Sequence, residues 1–333
     1  MQRVASKPGC QMIKQTLEIS QQAAHLCIKH RQLQLKRDGS VLGTTPCEDV
    51  GVVVVDHPQT TYSHQALVSL AESGAAVVLC GRNHLPTAML LPLAQHGEVV
   101  WRIADQISAS APLKKRLWQQ LVVAKIKAQA TNLKASTPAY RRLMMLASQV
   151  RSGDPSNLEA QAAKIYWQHW LDNPHVDIMK NNRFRRDQDG DGINACLNYG
   201  YAVLRAALGR AIVAAGLQPS LGVYHQNRGN HFCLADDLIE PFRPLVDDRV
   251  RSLNVKLDSL EELTQPIKAE LLGLLTQPMK LRGQTGPLMV MMHRLATSLV
   301  RCYSGEEKRL EIPVAIPGKP DSGRKKCEST DTE

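Results

Sequence analysis

GVVVVDHPQTTYSHQALVSLAESGAAVVLC, residues 51–80, decides the first half of the fold. Residues 52–55 are a continuous apolar run, the pattern of a strand buried on both faces. A short helix follows, with Leu67, Leu70 and Ala71 on one face and Gly74 as its stop. Residues 77–79 return to strand. Working outward, Leu17 and Ile19 alternate with polar neighbours, as do Leu26 and Ile28, and Leu33 and Leu35 around the polar break His30-Arg31. Such alternation predicts half-buried antiparallel strands. Residues 99–103 are expected as a last strand closing the sheet.

Beyond Pro112 the pattern becomes helical. Residues 113–130 place Leu117, Leu121 and Ala124 on an apolar face and Lys or Arg elsewhere. Further helices are predicted over 139–150, from Asp154-Pro155 onward with Asp as cap and Pro at the first helical position, and over 193–215, 233–240, 260–276 and 286–303. The expected class is α+β, a small β-rich N-terminal domain followed by a larger all-helical domain. The expected divisions are an N-terminal extension at 1–11, the β-rich domain at 12–105, a linker at 106–112, the helical domain at 113–305 and a tail at 306–333. Residues 318–333 lack apolar periodicity and are expected to be largely disordered and dispensable.

Hydrophobic residues make up 43% of the 333, enough for a real core, while aromatics are only 4%. The formal charge is +10. Residues 99–156 hold ten basic side chains against Asp105 and Asp154, so +8 of that charge falls in one stretch. A solvated helix face carries charge in this way, and so does a surface that binds a polyanion. No two of the eight cysteines form a C-x-x-C pair, which argues against a zinc ribbon or a thioredoxin-type site. Reduced core cysteines suit a cytosol. With no apolar leader and no run of membrane-spanning length, the expectation is a cytoplasmic protein with no membrane partner.

Two segments carry candidate chemistry. In the helix after Asp154, Glu159, Ala162, Ala163, Tyr166, Trp167 and Trp170 share one face. Five of the six suit burial, and the three aromatics read as core. A carboxylate there is costly unless it is paired or binds a metal, though a first-turn Glu also favours the helix dipole. The second segment, LGVYHQNRGNHFCLADDLIEPFRPLVDD at 221–248, contains His225, with Asp237 and Glu240 one helical turn apart. Carboxylates with a His are a ligand set for Mg²⁺ or Mn²⁺. A capping and ion-pair cluster with Arg243 is the plainer alternative. DQDGDG at 187–192 begins like a calcium-binding loop, but the twelfth position is Asn198 rather than a bidentate Glu. Its acids are read instead as caps for the next helix. His169, His175 and His231 receive no functional role.

These segments together resemble the CRISPR-associated integrase-nuclease family, the subunit of the adaptation machinery that inserts spacers. LADDLIEPFRP after His225 is similar to its C-terminal motif. INACLNYGYAVLRAAL at 193–208 is similar to its central helix, and LWQQLVVAKIKAQA at 117–130 to the helix following its β-domain. Residues 51–80 resemble that β-domain itself. The resemblance runs in order over roughly residues 12–305, and the Pro-Phe-Arg-Pro version is most like the type II form. The acidic insert at 187–191 and the tail after Pro317 depart from it.

The resemblance implies a β-rich dimerisation domain and a helical catalytic domain. It implies a metal, Mg²⁺ or Mn²⁺, held by Glu159, His225 and Glu240, which are also the catalytic residues. Asp237 and Arg243 would support them or contact DNA. Lys114, Lys115, Arg116, Lys125, Lys127, Arg141 and Arg142 would hold the DNA backbone. The implied partners are double-stranded DNA (a spacer fragment and the CRISPR repeat), a second copy in a homodimer, and the small ferredoxin-like adaptation subunit. The implied reaction is 3′-hydroxyl attack on a phosphodiester. Two other readings remain at this point, a stand-alone metal nuclease on branched or repair DNA and a non-catalytic DNA-binding scaffold.

Overall fold

The computed structural model describes residues 14–20, 22–82, 86–93, 98–171, 184, 186–187, 190–256, 260 and 262–316. The extension at 1–11, Asp189, His175, Cys10, Cys327 and residues 317–333 of the expected tail at 306–333 lie outside them, whereas 306–316 are described.

The N-terminal part is built from two sheets and one helix. Strands β1 (Gln15–Ile19), β5 (Val50–Val55), β7 (Ala76–Cys80) and β8 (Pro86–Leu90) form the inner sheet in the order β1-β5-β7-β8. The outer sheet is β4-β3-β2-β6, from β2 (His25–Lys29), β3 (Gln32–Arg37), β4 (Ser40–Pro46) and β6 (Thr61–Tyr62). Helix α1 (His64–Glu72) is capped by Ser63, whose side chain accepts from the Ala66 amide. It returns the chain from β5 to the parallel strand β7, in register Val52↔Ala76 through Val55↔Leu79. Asp38 and Gly39 both take positive φ, the Asp-Gly turn expected of a tight hairpin between β3 and β4.

The apolar run of β5 is explained by layers on both sides of it. Val53 and Val55 pack into a core shared with Leu26, Leu33 and Leu70. Val52 and Val54, pointing the other way, join the core of the helical domain. Asp56, just after β5, forms a buried ion pair with Lys268 of the helical domain. The inner sheet is thus a middle layer rather than an outer wall.

Three expectations are revised by the structure. Residues 17–19 do form a strand, but β1 pairs parallel with β5, Leu17 opposite Val53, whereas alternation alone suggested antiparallel pairing. Residues 99–103 are helix α2 (Val99–Ser108), not a strand. A five-residue apolar run fits either element, and polar contacts decide this one. Gln106 is buried and donates to the Gln218 and Leu221 carbonyls at 3.0 and 2.7 Å, while Arg102 donates to the Ala215 carbonyl at 2.8 Å. Val100 and Trp101 are left exposed. The expected linker at 106–112 is the end of α2, a short break at Ala109-Ser110, and the start of α3 (Ala111–Thr131), which Ser110 caps.

The helical part continues with α4 (Pro138–Gln149), α5 (Leu158–His169), α6 (Ile193–Ala214), α7 (Cys233–Ile239), α8 (Arg243–Lys256), α9 (Gln265–Leu272) and α10 (Leu288–Tyr303). α6 is the central helix, with buried residues on every face. Gly200 lets α8 approach it, since a Cβ there would meet Val246 Cγ1 at 2.4 Å. A small sheet, β10-β9-β11, interrupts the helices: β9 (Pro278–Leu281), β10 (Gln284–Pro287) and β11 (Val314–Ala315). Sequence patterning missed it because its strands are short and mixed in polarity. No helix among the described residues is long and apolar enough to cross a membrane.

Candidate active site

Glu159 enters from the first turn of α5. That helix begins at Leu158 with Asn157 as its cap, later than the expected Asp154-Pro155 start. Asp154 still contributes, because its carboxylate accepts the Leu158 and Glu159 amides at 2.9 Å each. Below Glu159 on the same face, Ala162, Tyr166 and Trp170 are buried as the periodicity predicted. Glu240 follows α7 directly, in the 3₁₀ turn Glu240–Phe242, and its side chain is almost fully buried.

The two glutamates converge on one cation. Lys125 Nζ of α3 lies 2.5 Å from Glu159 Oε1 and 2.5 Å from Glu240 Oε2. Arg243 Nε lies 3.0 Å from Glu240 Oε1. Burial alone would lower the Lys125 ammonium, but the two carboxylates override it and hold it above the ordinary lysine range. Burial likewise opposes the Glu240 charge, and Arg243 and Lys125 outweigh it, keeping that carboxyl below its usual range. Expected on the DNA backbone, Lys125 instead turns inward in this structure: its side chain is 12% exposed and engaged with both carboxylates. Sequence reasoning grouped it with the other basic residues because spacing along a helix does not say which lysine turns inward.

His225 is held by Asp237, whose side chain is fully buried in α7. The carboxylate accepts the Tyr224 amide at 2.8 Å and the His225 amide at 3.3 Å, and lies 2.5 Å from His225 Nδ1. The Nδ1 bond fixes the ring and leaves Nε2 as the nitrogen able to bind a cation or carry a proton. The hydrogen bond to Asp237 raises the His225 pKa, against the opposite pull of burial. Gly222 makes the close approach possible, since a Cβ there would lie 2.3 Å from the His225 carbonyl oxygen and 2.8 Å from Asp237 Oδ2. Asp237 is therefore a support for His225, and Arg243 a partner of Glu240.

A deeper layer was missed from the sequence. Asp247 of α8 is fully buried and accepts from Tyr166 OH at 3.0 Å and from Tyr201 OH. Burial pushes its pKa up to about 7, although both hydroxyls oppose the rise. This ties α5, α6 and α8 beneath the glutamates. The guanidiniums of Arg243 and Arg186 approach the Tyr201 ring, at 4.8 and 5.4 Å from its centroid. Arg186 also donates to Asn194 Oδ1 at 3.0 Å and to Asn198. Asn198, the twelfth position of the calcium-like loop, is thus a partner of Arg186. Arg205 pairs with Asp236 at 2.7 and 2.9 Å. Arg186, Arg205 and Arg243 line an open cleft of about 630 Å³ together with His225 and Glu240. Of the expected backbone-binding residues, Lys115, Arg116, Lys127, Arg141 and Arg142 are exposed on α3 and α4, and Lys114 is half-buried.

The donor set suits a divalent ion. Two carboxylates already share one positive charge, and the contact of Glu240 Oε2 with Lys125 is ionic, with no directed hydrogen bond to that buried oxygen. The Lys125 ammonium stands between the two carboxylates that would contribute to holding such an ion. Among the described residues no three His, Cys, Asp or Glu side chains close into an ion-binding cage. Ion binding therefore requires Lys125 to give way.

Comparison with known proteins gives consistent matches. The profile of the family described as "CRISPR associated protein Cas1" covers residues 17–258. A CRISPR-associated endonuclease Cas1 from Neisseria meningitidis is 36% identical over 89% of this chain and 95% of its own length. Among solved structures, a casposase bound to integration product superposes with a TM-score of 0.72 at 17% identity, over 89% of this chain and 92% of that one. A chain of a Cas6-RT-Cas1–Cas2 complex gives 0.70 at 18% identity, over 92% of this chain and 37% of that one. At those identities the structural matches speak for the fold.

Proposed function

The chain belongs to the CRISPR-associated Cas1 family, and from that membership we propose that it inserts short DNA fragments into a repeat array by metal-dependent strand joining. The observation that carries the reading is the meeting of Glu159 and Glu240, 81 residues apart, on one cation beside a cleft that also contains His225 and three arginines. A scaffold has no need of two carboxylates, one of them buried, brought together at the edge of an arginine-lined cleft.

Glu159, Glu240 and His225 would hold Mg²⁺ or Mn²⁺, displacing Lys125. The ion supplies charge neutralisation at the reacting phosphate. In the joining step the 3′ oxygen of the incoming strand forms a bond to phosphorus at the repeat edge. The bond from that phosphorus to the repeat's own 3′ oxygen breaks. The proton of the attacking hydroxyl leaves, and the departing oxygen gains one. His225 Nε2, freed by the Nδ1 bond to Asp237, serves as ligand or as proton carrier. Arg186, Arg205 and Arg243 supply positive charge to the phosphates in the cleft. Lys115, Arg116, Lys127, Arg141 and Arg142 hold flanking backbone, with Lys114 beside them.

The β-rich domain would form a homodimer, and the small ferredoxin-like subunit would complete the complex, as the Cas2 named in the related assembly suggests. Cytoplasmic action on double-stranded DNA follows from the same reading. The test is incubation of the purified protein with that subunit, a labelled duplex and a repeat-bearing supercoiled plasmid in Mg²⁺ or Mn²⁺. Transfer of label to the repeat edge is the expected result. Cleavage without transfer would favour a stand-alone nuclease, and binding without either would leave a scaffold.

A further inference from the structure

We propose that the outer face of Tyr224 is a stacking platform for the 3′-terminal nucleobase of the incoming DNA strand. This inference rests on the strand-joining reading and adds a binding site to it. Tyr224 stacks on Trp118 of α3 with ring centroids 4.3 Å apart and planes 3° from parallel. Trp118 is 1% exposed, whereas Tyr224 is 51% exposed. The pair is therefore a two-ring stack with one side against the core and the other open. An open π-face beside His225 is what a base of any sequence can use.

The ring is also rigidly placed. The Tyr224 amide donates to the buried Asp237 carboxylate at 2.8 Å, the same group that holds His225. The Tyr224 ring stands edge-on to the His225 ring, with centroids 5.3 Å apart at 85°. Trp118 meets His225 in the same way, at 5.4 Å and 86°. A nucleotide whose 3′ oxygen reaches the glutamates beside His225 carries its base one sugar away, within reach of a ring that adjoins His225, itself in the cleft lining. The terminal base is the fitting occupant. Bases inside the repeat duplex are stacked on both faces and must be flipped out at a cost, whereas the last base of an unpaired end already has a free face.

The test uses the full chain in EDTA and a duplex with a short 3′ overhang ending in 2-aminopurine. Binding by the wild type and by Tyr224→Phe is expected to quench that fluorophore. Tyr224→Leu, which still covers Trp118 and is checked for folding by its melting curve, is expected to bind without the quench. Replacing the terminal base with an abasic nucleotide is expected to weaken wild-type binding about tenfold and to leave Tyr224→Leu nearly unchanged. An abasic end that binds the wild type as well as an intact one overturns the inference by itself. So does equal quenching by wild type and Tyr224→Leu. The readout needs neither metal nor joining, so it is independent of the proposed reaction. A protein that stacks the end but never joins strands keeps this inference and loses that reading. One that joins strands with no Tyr224-dependent quench does the reverse.

Discussion

Replacing Asp237 with Ala removes one carboxylate on which three donors depend. The Tyr224 amide, the His225 amide and His225 Nδ1 all direct their hydrogens to it, and the carboxylate itself has no exposure. A hydrogen bond to a charged group contributes on the order of 1.5–3 kcal/mol, and a buried donor left without a partner costs about 1–3 kcal/mol. The 3.3 Å bond is long, and His225, half exposed, can turn to water, so the three losses do not add in full. An overall destabilisation of about 3–5 kcal/mol is expected. Urea unfolding of wild type, Asp237→Ala and Asp237→Asn in EDTA measures it. Asn keeps an acceptor oxygen and is expected to lose roughly half as much. Both variants should lower the His225 pKa, seen by NMR of the ring protons, because the Asp237 bond is the main cause of its elevation. An Ala variant within about 1 kcal/mol of wild type, with His225 titrating unchanged, would show that Asp237 does not hold His225.

Two further predictions concern other parts of the molecule. Asp247 has a folded-state pKa raised to about 7 by burial, so its contribution to stability is present at low pH and is lost as pH rises through about 7. The stability of Asp247→Asn relative to wild type should therefore climb between about pH 4 and 7, by at most about 4 kcal/mol; parallel pH profiles for the two proteins would refute this. Duplex affinity should fall steeply with salt, and neutralising Lys114, Lys115 and Arg116 together should lessen the log–log slope by up to about 2.7; an unchanged slope would move the DNA away from the start of α3.

The strands and helices were largely legible because burial leaves a periodic trace. The valines of β5, the Tyr166–Trp170 face of α5 and the apolar face of α3 all record local decisions. Where tertiary contacts decided, local pattern was insufficient. α2 is fixed by Gln106 and Arg102 reaching carbonyls more than a hundred residues away, while its apolar Val100 and Trp101 face solvent. β1 chose a parallel partner that alternation cannot specify. At the site, Glu159, His225, Asp237 and Glu240 were visible through the ligand chemistry of their residue types and the resemblance of their segments to a family. Lys125 was seen as charge and not as the inward-turned partner of both glutamates. Asp247 lay in the same polar segment, yet nothing in the spacing joined it to Tyr166 and Tyr201.

The most direct test of the account is strand joining by Glu159→Gln, His225→Ala and Glu240→Gln, each beside wild type and each with its duplex affinity measured in the same buffer. These changes remove the proposed ion ligands while leaving the exposed basic residues of α3 and α4 in place. Each is expected to abolish transfer of labelled fragment to the repeat edge with duplex binding nearly unchanged, and the triple variant is expected to be no worse than the worst single. Wild-type joining by Glu159→Gln or by Glu240→Gln would contradict the account.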